Sequence, residues 1–313
     1  MDSGTLYNSK ILLFGEYGII QDTMGLSIPY DQFKGSFSFD TTADEEEKHN
    51  SIIELKKFAA YLEKLVDASE LTCNLDIQVF KKDIERGMFF NSSVPSGSGV
   101  GSSGTVVAAI YGKYCKNKIE VTDDITPDDI LRLKNIFSKM ESYFHGHSSG
   151  LDPLICYLNI PILIKSQTEL DKVGIPKYNT GEGAVFLLDT GLQGKTAPLV
   201  QYFLNRCKEE GFRNMMKRRL KKYNDAAIEA FINNDINPLM HNVKHLSKLL
   251  FAHFKPMIPD VFHQLWQEGI DSNAYYLKLC GSGGGGFILG FTHDYEAAKE
   301  KLKEYELRRI YSF

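Results

Sequence analysis

Short runs of buried-type residues alternate along this chain with longer stretches whose apolar positions recur at helical spacing. Ile11 to Phe14 is a continuous apolar run, the pattern of a strand covered on both faces. Gly15 and Gly18 bracket a turn that leads to a second short strand, and Gly35 to Phe39 (GSFSF) alternates with period two. Thr42 to Asn50 is polar and acidic and reads as an exposed connection. Ser51 to Ala68 then sets Ile52, Leu55, Phe58, Ala59, Leu62 and Leu65 at helical spacing. Leu71 to Phe80 alternates again, with Leu75, Ile77 and Val79 on one face, which predicts a strand followed by a turn from Lys81 to Gly87.

Thr126-Pro127 opens a helix with Asp128 and Asp129 in its first turn, where negative charge suits the helix dipole, and the pattern runs to about His145. Ile160 to Ile164, Gly183 to Asp189, Tyr275 to Leu279 and Phe287 to Phe291 predict strands. Thr196 to about Ala252 is mostly helical with a break from Asn234 to Pro238, and Asp294 to Leu307 is a charged helix before a last strand, Arg309 to Phe313. Strands and helices mix without strict alternation and no internal repeat is present, so the class is α+β.

Composition narrows the function classes. A chain of 313 residues, 43% hydrophobic and 24% charged, has the makings of one large or two intimate globular domains. Its net charge of −4 gives no bulk electrostatic reason to bind nucleic acid. Cys73, Cys115, Cys156, Cys207 and Cys280 are scattered, without a CxxC pair, which argues against a disulfide framework or zinc knuckle and for a reducing cytoplasm. The first ten residues lack the basic-then-apolar pattern of a signal peptide, and no apolar run approaches a membrane span.

The most informative stretch is Asn91 to Tyr114, NSSVPSGSGVGSSGTVVAAIYGKY. Gly97, Gly99, Gly101 and Gly104, interleaved with serines, run into an apolar segment, Thr105 to Tyr114, that reads as a helix. Glycines let backbone N–H groups turn toward one point, and a helix N-terminus adds unpaired donors and partial positive charge. The combination is a phosphate cradle. It is not a Walker A loop, since it has no lysine, and Gly194-Lys195-Thr196 has Asp189 where that motif needs its first glycine. Gly99, Gly101 and Gly104 do fit G-x-G-x-x-G, but Pro95 and its serines stand where a Rossmann loop follows directly from a strand.

Taken as P-S-G-S-G-V-G-S-S-G, Pro95 to Gly104 resembles the second motif of the GHMP kinases (galactokinase, homoserine kinase, mevalonate kinase, phosphomevalonate kinase). SKILLFGEYGII, from Ser9, is similar to the first motif of that family, and LKLCGSGGGG to the third, with Cys280 in place of threonine and Ser282 in place of alanine. GHSSGLDP resembles the mevalonate kinase stretch that ends in an aspartate facing the substrate hydroxyl, and LDTGLQGKTAPLV the D-T-G segment of mevalonate kinases and mevalonate diphosphate decarboxylases. The matches occur in the family's order over nearly the whole chain.

The resemblance implies a two-domain GHMP kinase fold, a ribosomal-protein-S5-like N-terminal domain over residues 1–165 and a ferredoxin-like C-terminal domain over 166–313. It implies ATP and Mg²⁺ as cofactors and transfer of the γ-phosphoryl group to the 5-hydroxyl of mevalonate. Asp152 would be the catalytic base and Lys10 the electrostatic stabiliser. Pro95, Gly97, Gly99, Gly101, Ser102, Ser103, Gly104, Gly283 and Gly284 would bind nucleotide, Ser103 and Glu141 the metal, and Glu16, Tyr17, Thr196 and Gly284 the substrate. Tyr17 stands where the family commonly has histidine. Without the resemblance, Asp152 reads equally well as a helix-capping residue and Glu141 as an exposed helix residue.

His145, His147, His241 and His245 have no metal-ligand spacing and read as loop or packing residues, and Lys217 to Lys222 (KRRLKK) as a solvated face. The expected partner is a small-molecule alcohol, with no nucleic acid and no membrane, acting on a monomer or homodimer. The alternatives are a sugar kinase or a mevalonate diphosphate decarboxylase, a catalytically silent binding relative and, further off, a Rossmann oxidoreductase.

Overall fold

The computed structural model describes residues 4–40, 42–176, 181–194 and 196–313, apart from the side chains of 196 and 197. In chain order the elements are β1 (Tyr7–Phe14), β2 (Gly25–Ser38), α1 (Glu45–Asp67), α2 (Ile77–Glu85), β3 (Phe89–Ser92), α3 (Ser102–Tyr114), α4 (Pro127–His145), α5 (Leu151–Leu158), β4 (Ile162–Ile164) and β5 (Leu170–Lys172). They continue as β6 (Ala184–Asp189), α6 (Thr196–Arg206), α7 (Glu210–Met215), α8 (Lys221–Ile232), α9 (Ile236–His253), α10 (His263–Ser272), β7 (Tyr276–Leu279), β8 (Phe287–Thr292), α11 (Tyr295–Lys301) and β9 (Leu307–Ser312). The mixture of helices with antiparallel sheets is the α+β class that the pattern predicts.

The chain forms two compact units. The first comprises Met1–Lys10, Pro29–Pro95 and Gly101–Ile160, the second Ile11–Ile28, Ser96–Val100 and Pro161–Phe313. No single cut separates them, because two short stretches near the front of the chain group with its second half.

In the first unit α3 packs on α4 and α5, and α1 on α2 and β3. The end of β2 pairs antiparallel with β3, Phe37 opposite Phe90. Phe37 also meets Phe80 and Tyr114, closing an aromatic core in which edge-on contacts add to area burial.

Here the alternation of 71–80 misleads. Residues 77–85 are helical, because Asp76 accepts a hydrogen bond from the Val79 N–H and caps the turn. Ile77, Phe80 and Ile84 face the core at helical spacing, whereas Val79 is 45% exposed. The acidic connection is shorter than its composition suggests. Asp44 accepts from the Glu46 and Glu47 N–H groups and starts α1 at Glu45, with three glutamates against the positive end of the dipole.

In the second unit β7, β8, β6 and β9 form an antiparallel sheet in that order, and β6 is buried almost throughout. α9 packs on β7 and against α8. Phe14 of β1 sits within ring-contact range of Phe231 and Phe291, and the Trp266 indole N–H donates to the Ser247 carbonyl in the core. Pro238, read as part of a break, lies in the first turn of α9, where a missing N–H costs nothing.

The second short strand expected after Gly18 is instead a 3₁₀ turn, Ile19–Gln21, and the chain enters one long strand, β2, already at Gly25. Gly15 (φ 109°) and Tyr17 (φ 60°) supply the left-handed backbone of that turn. β1 and β2 are shared by both units along their length, in a sheet of order β1-β2-β4-β5 with β3 on β2. Among the described residues no helix is long and apolar enough to cross a membrane.

Candidate active site

The site in the first unit is built around the N-terminus of α3. Gly101, at φ 88°, caps the helix in the left-handed conformation, and the first N–H groups of α3 have no intrahelical acceptor. Two glycines allow a close approach that no other residue permits. A Cβ at Gly101 would lie 3.0 Å from Lys10 Cγ, and one at Gly104 would lie 2.9 Å from the Asp152 carbonyl carbon. Lys10 and the start of α5 therefore both reach the end of α3 because the loop carries no side chains there.

Lys10 Nζ stands 2.8 Å from Asp152 Oδ1. The lysine side chain is 4% exposed and the aspartate 39%, so the cation is sealed while its carboxylate partner faces solvent. Asp152 lies in the first turn of α5 behind the N-cap residue Gly150 (φ 74°), where the helix dipole favours its charge. It is not the capping residue itself.

Glu141, on the last turns of α4, is 2% exposed. The Ser103 hydroxyl donates to its Oε1 at 2.9 Å and the Ser148 hydroxyl to its Oε2 at 2.5 Å, and Ser148 Oγ in turn accepts from the Gly150 N–H at 3.0 Å. Burial, reinforced by the Asp152 charge, pushes the Glu141 carboxyl up to about 7, against the pull of the two serine hydroxyls and Lys10. His145 Nε2 lies 3.2 Å from Ser103 Oγ, and burial pushes its imidazole down.

Lys10, Ser103, Glu141 and Asp152 are thus brought together by one network. His145 and Ser148 belong to it as well, and neither was singled out by spacing. Spacing alone reads His145 as a loop residue, although both lie within the segment HGHSSGLD that carries the motif. Ser103 and Glu141 offer hard oxygen donors beside a helix N-terminus, which fits Mg²⁺, an ion that takes one or two protein oxygens and completes its shell with phosphate and water. Among the described residues no cluster of three or more His, Cys, Asp or Glu could hold a metal without such help.

The second unit holds the other glycine loops. Residues 96–100, 190–194 and 280–286 interlock by backbone. The Thr190 hydroxyl donates to the Gly286 carbonyl at 2.7 Å, the Gly286 N–H to Leu192 O at 2.6 Å, and the Phe287 N–H to Ser98 O at 3.3 Å. A Cβ at Gly99 would lie 2.7 Å from the Cys280 oxygen, and one at Gly286 would lie 2.4 Å from Ser98 Cα. The Gly284 N–H is taken by Met257 O at 2.7 Å, and Gly283 has φ 76°. A cleft of about 440 Å³ adjoins Gly284, walled by Pro198, Leu199, Pro256 and Ile258 with Gln193 and Asp260 at its edge. Thr196, expected to touch substrate, has its side chain outside the described residues.

Glu16 and Tyr17, expected at the substrate, are both buried in this unit. Lys278 Nζ donates to both Glu16 oxygens at 2.6 Å, with the two side chains 3% and 5% exposed, and also to Leu279 O. Tyr17 packs against Phe203 and Phe254 and donates its hydroxyl to Ser282 O at 2.7 Å. Burial pushes its phenol well up. Lys278, a residue of the third glycine motif, is a partner that sequence spacing did not reveal. Elsewhere, His245 stacks on Tyr223 and Lys221 pairs with Asp225, surface roles of the kind their spacing predicts.

Residues 55–159 match the family described as GHMP kinases N terminal domain. No curated protein sequence matches the chain significantly. Among solved structures, mevalonate kinase from L. major in complex with R-mevalonate is similar at 15% identity and TM-score 0.63, over 99% of this chain and 95% of that one. Phosphomevalonate kinase from Streptococcus pneumoniae, in complex with phosphomevalonate and AMPPNP, gives 16% identity and TM-score 0.63 over 98% and 99%. Galactokinase from Lactococcus lactis, complexed with galactose, gives 11% and 0.62 over 99% and 93%. The sheets are antiparallel, which excludes the Rossmann alternative. Residues 55–159 are thus similar to the N-terminal domain of the GHMP kinases, and the chain as a whole shares the fold of these solved kinases.

Proposed function

We propose that the protein is an ATP-dependent kinase that phosphorylates the hydroxyl of a small molecule, with the 5-hydroxyl of mevalonate as the acceptor. The observation that carries this reading is the Lys10–Asp152 pair at 2.8 Å, its carboxylate open to solvent beside the N-terminus of α3. An alcohol is a poor nucleophile, and a carboxylate within hydrogen-bond reach accepts its proton as the oxygen attacks phosphorus. Asp152 is that acceptor. Lys10, whose stem passes through the space that a side chain at Gly101 would take, keeps a positive charge where the transferred group develops negative charge.

The N–H groups at the start of α3 and the glycine backbone of Pro95 to Gly104 receive the nucleotide phosphates. Ser103 and Glu141 would hold Mg²⁺, which neutralises phosphate charge when bound. Ser148 and His145 keep that pair in register by bonding to Glu141 and Ser103 respectively. Glu16 and Tyr17 serve the substrate region indirectly: with Lys278 and Ser282 as partners they fix the shape of the third glycine loop. The resemblance assigns Thr196 and Gly284 to the acceptor as well.

The D-T-G segment and the fold shared with the L. major enzyme support mevalonate. Tyr17 in place of histidine, with its hydroxyl committed to Ser282, favours a second reading in which the acceptor is another small alcohol such as a sugar. The test is ADP release with Mg-ATP against mevalonate, phosphomevalonate, mevalonate diphosphate, galactose and homoserine. Turnover with mevalonate alone is expected. Turnover with a sugar alone would transfer the mechanism to that substrate, and ATP binding without turnover on any of the five would overturn the reading.

A further inference from the structure

Of the two buried carboxylates among the described residues, Glu16 is matched by Lys278, whereas Glu141 forms no ion pair. The Ser103 and Ser148 hydroxyls donate to Glu141 at 2.9 and 2.5 Å. Hydroxyls solvate a carboxylate without neutralising it, and a buried charge is as a rule either paired or bound to a metal ion. The surroundings of Glu141 supply further donors for such an ion.

Glu141 and His145 stand four residues apart on α4, so their side chains rise from one face, a turn from each other. Ser103 reaches the same point from the first turn of α3. Its Oγ lies 2.9 Å from Glu141 Oε1 and 3.2 Å from His145 Nε2. Neighbouring ligands of an octahedral divalent ion, each about 2.1 Å from it, are themselves about 3 Å apart. The two contacts thus have the length of two edges of one coordination shell, with Ser103 Oγ at the shared corner. Ser148 occupies the other carboxylate oxygen, an outer bond of the kind that orients a ligand. The last carbonyls of α4 add partial negative charge, which favours a cation. His145 keeps part of its surface in solvent and Ser103 is half-buried, which leaves an open side where water or phosphate oxygens complete the shell.

We infer that His145 is itself a ligand of the ion held by Ser103 and Glu141, and that its nitrogen makes the site prefer a first-row transition ion, Mn²⁺ foremost, over Mg²⁺. This rests on the reading of Ser103 and Glu141 as the metal pair and goes beyond it in the third donor and in the ion. Mg²⁺ is served by oxygens, and an imidazole adds little to its binding. Mn²⁺ keeps the same octahedral shell of oxygens but also accepts nitrogen, so a mixed set of carboxylate, hydroxyl and imidazole suits it better. A neutral ring with its proton on Nδ1 offers the lone pair of Nε2. No spacing of histidines or cysteines marks the set, because its other members are a glutamate one turn back and a serine on another helix.

The test uses the full chain, stripped of metal and free of nucleotide, with Mn²⁺ as the probe. Free Mn²⁺ is counted by its electron paramagnetic resonance signal. The bound ion is read by electron spin echo modulation, in which a directly bound nitrogen leaves its own frequencies. Mg²⁺ affinity follows from its displacement of Mn²⁺. The expected result is a bound Mn²⁺ with nitrogen modulation and a preference over Mg²⁺ of roughly tenfold or more. His145→Ala removes the modulation and weakens Mn²⁺ by roughly tenfold, while Mg²⁺ stays within about threefold. Glu141→Gln loses both ions. Failure to bind Mn²⁺ would overturn the inference. So would an ion that Glu141→Gln releases but that shows no nitrogen, or an unchanged preference in His145→Ala, and these two outcomes leave the metal pair standing. Mn²⁺ affinity unchanged in Glu141→Gln would overturn the pair as well.

Discussion

Two lysine–carboxylate pairs flank the first glycine turn of this chain, and they differ in one respect that decides what each does. Lys10 holds Asp152 in the first unit and Lys278 holds Glu16 in the second. Both lysines are sealed, at 4% and 3% exposed, but Asp152 is 39% exposed and Glu16 only 5%. A sealed pair has every charge matched internally, and removing one member strands the other in low dielectric. A half-open pair keeps a carboxylate that a substrate can approach. On the proposed function the half-open Lys10–Asp152 pair carries chemistry and the sealed Lys278–Glu16 pair architecture, although both lie in sequence motifs that the family resemblance assigns to the active site.

The sharpest way to break this contrast is at the open pair. Asp152→Asn keeps the volume and an oxygen for Lys10 to bond but removes the proton acceptor, so kcat is expected to fall roughly 10²–10⁴-fold while the melting temperature falls far less than at the sealed pair. Loss of folding instead would put Asp152 on the architectural side. At the sealed pair the reverse is expected. Lys278→Met strands the Glu16 carboxylate and costs about 3–5 kcal/mol in denaturant unfolding, and the double variant with Glu16→Gln recovers part of it. A Lys278→Met protein as stable as wild type would contradict the sealed role.

Glu141 sharpens the comparison within the first unit, because it is sealed like Glu16 but has hydroxyl donors rather than a cation. Its carboxyl sits near 7 in the fold against an ordinary value of 4.5, so the folded chain holds that proton more tightly than the unfolded chain. The stability from this group is complete below pH 4.5 and is lost as pH rises toward 7. In metal-free buffer, Glu141→Gln is expected to match wild type in melting temperature at the acid end and to exceed it above neutrality. Parallel curves would show that Glu141 does not titrate in that window. The smallest effect belongs to Tyr17→Phe, which deletes one hydrogen bond to Ser282 O and is expected to cost about 1 kcal/mol with the acceptor preference unchanged.

What the sequence shows and what it hides follow the same division. The open site was legible because the glycines that let backbones close up at Gly101 and Gly104 are visible as residues, and Lys10, Ser103, Glu141 and Asp152 lie in motifs around them. The helices α1, α3 and α4 were legible from apolar spacing, to which α4 adds its Thr126-Pro127 start, although the Asp44 cap begins α1 earlier than the spacing shows. The helix α2 was not, because Leu75, Ile77 and Val79 satisfy an alternating pattern over a stretch too short to separate the two periods, and the Asp76 cap decided it. The sealed pair was hidden for another reason. Glu16 and Lys278 are 262 positions apart, and no periodicity links residues that meet only in the folded unit. His145 and Ser148 escaped because each touches the site through another side chain.

The measurement that tests the account most directly is a paired one on Asp152→Asn. Single-turnover phosphoryl transfer to the preferred alcohol is followed alongside calorimetric titration of Mg-ATP. The account predicts ATP affinity within a few fold of wild type and transfer slowed by roughly 10²–10⁴-fold. Wild-type transfer by a variant that binds ATP normally would contradict the claim that the open Lys10–Asp152 pair does the chemistry.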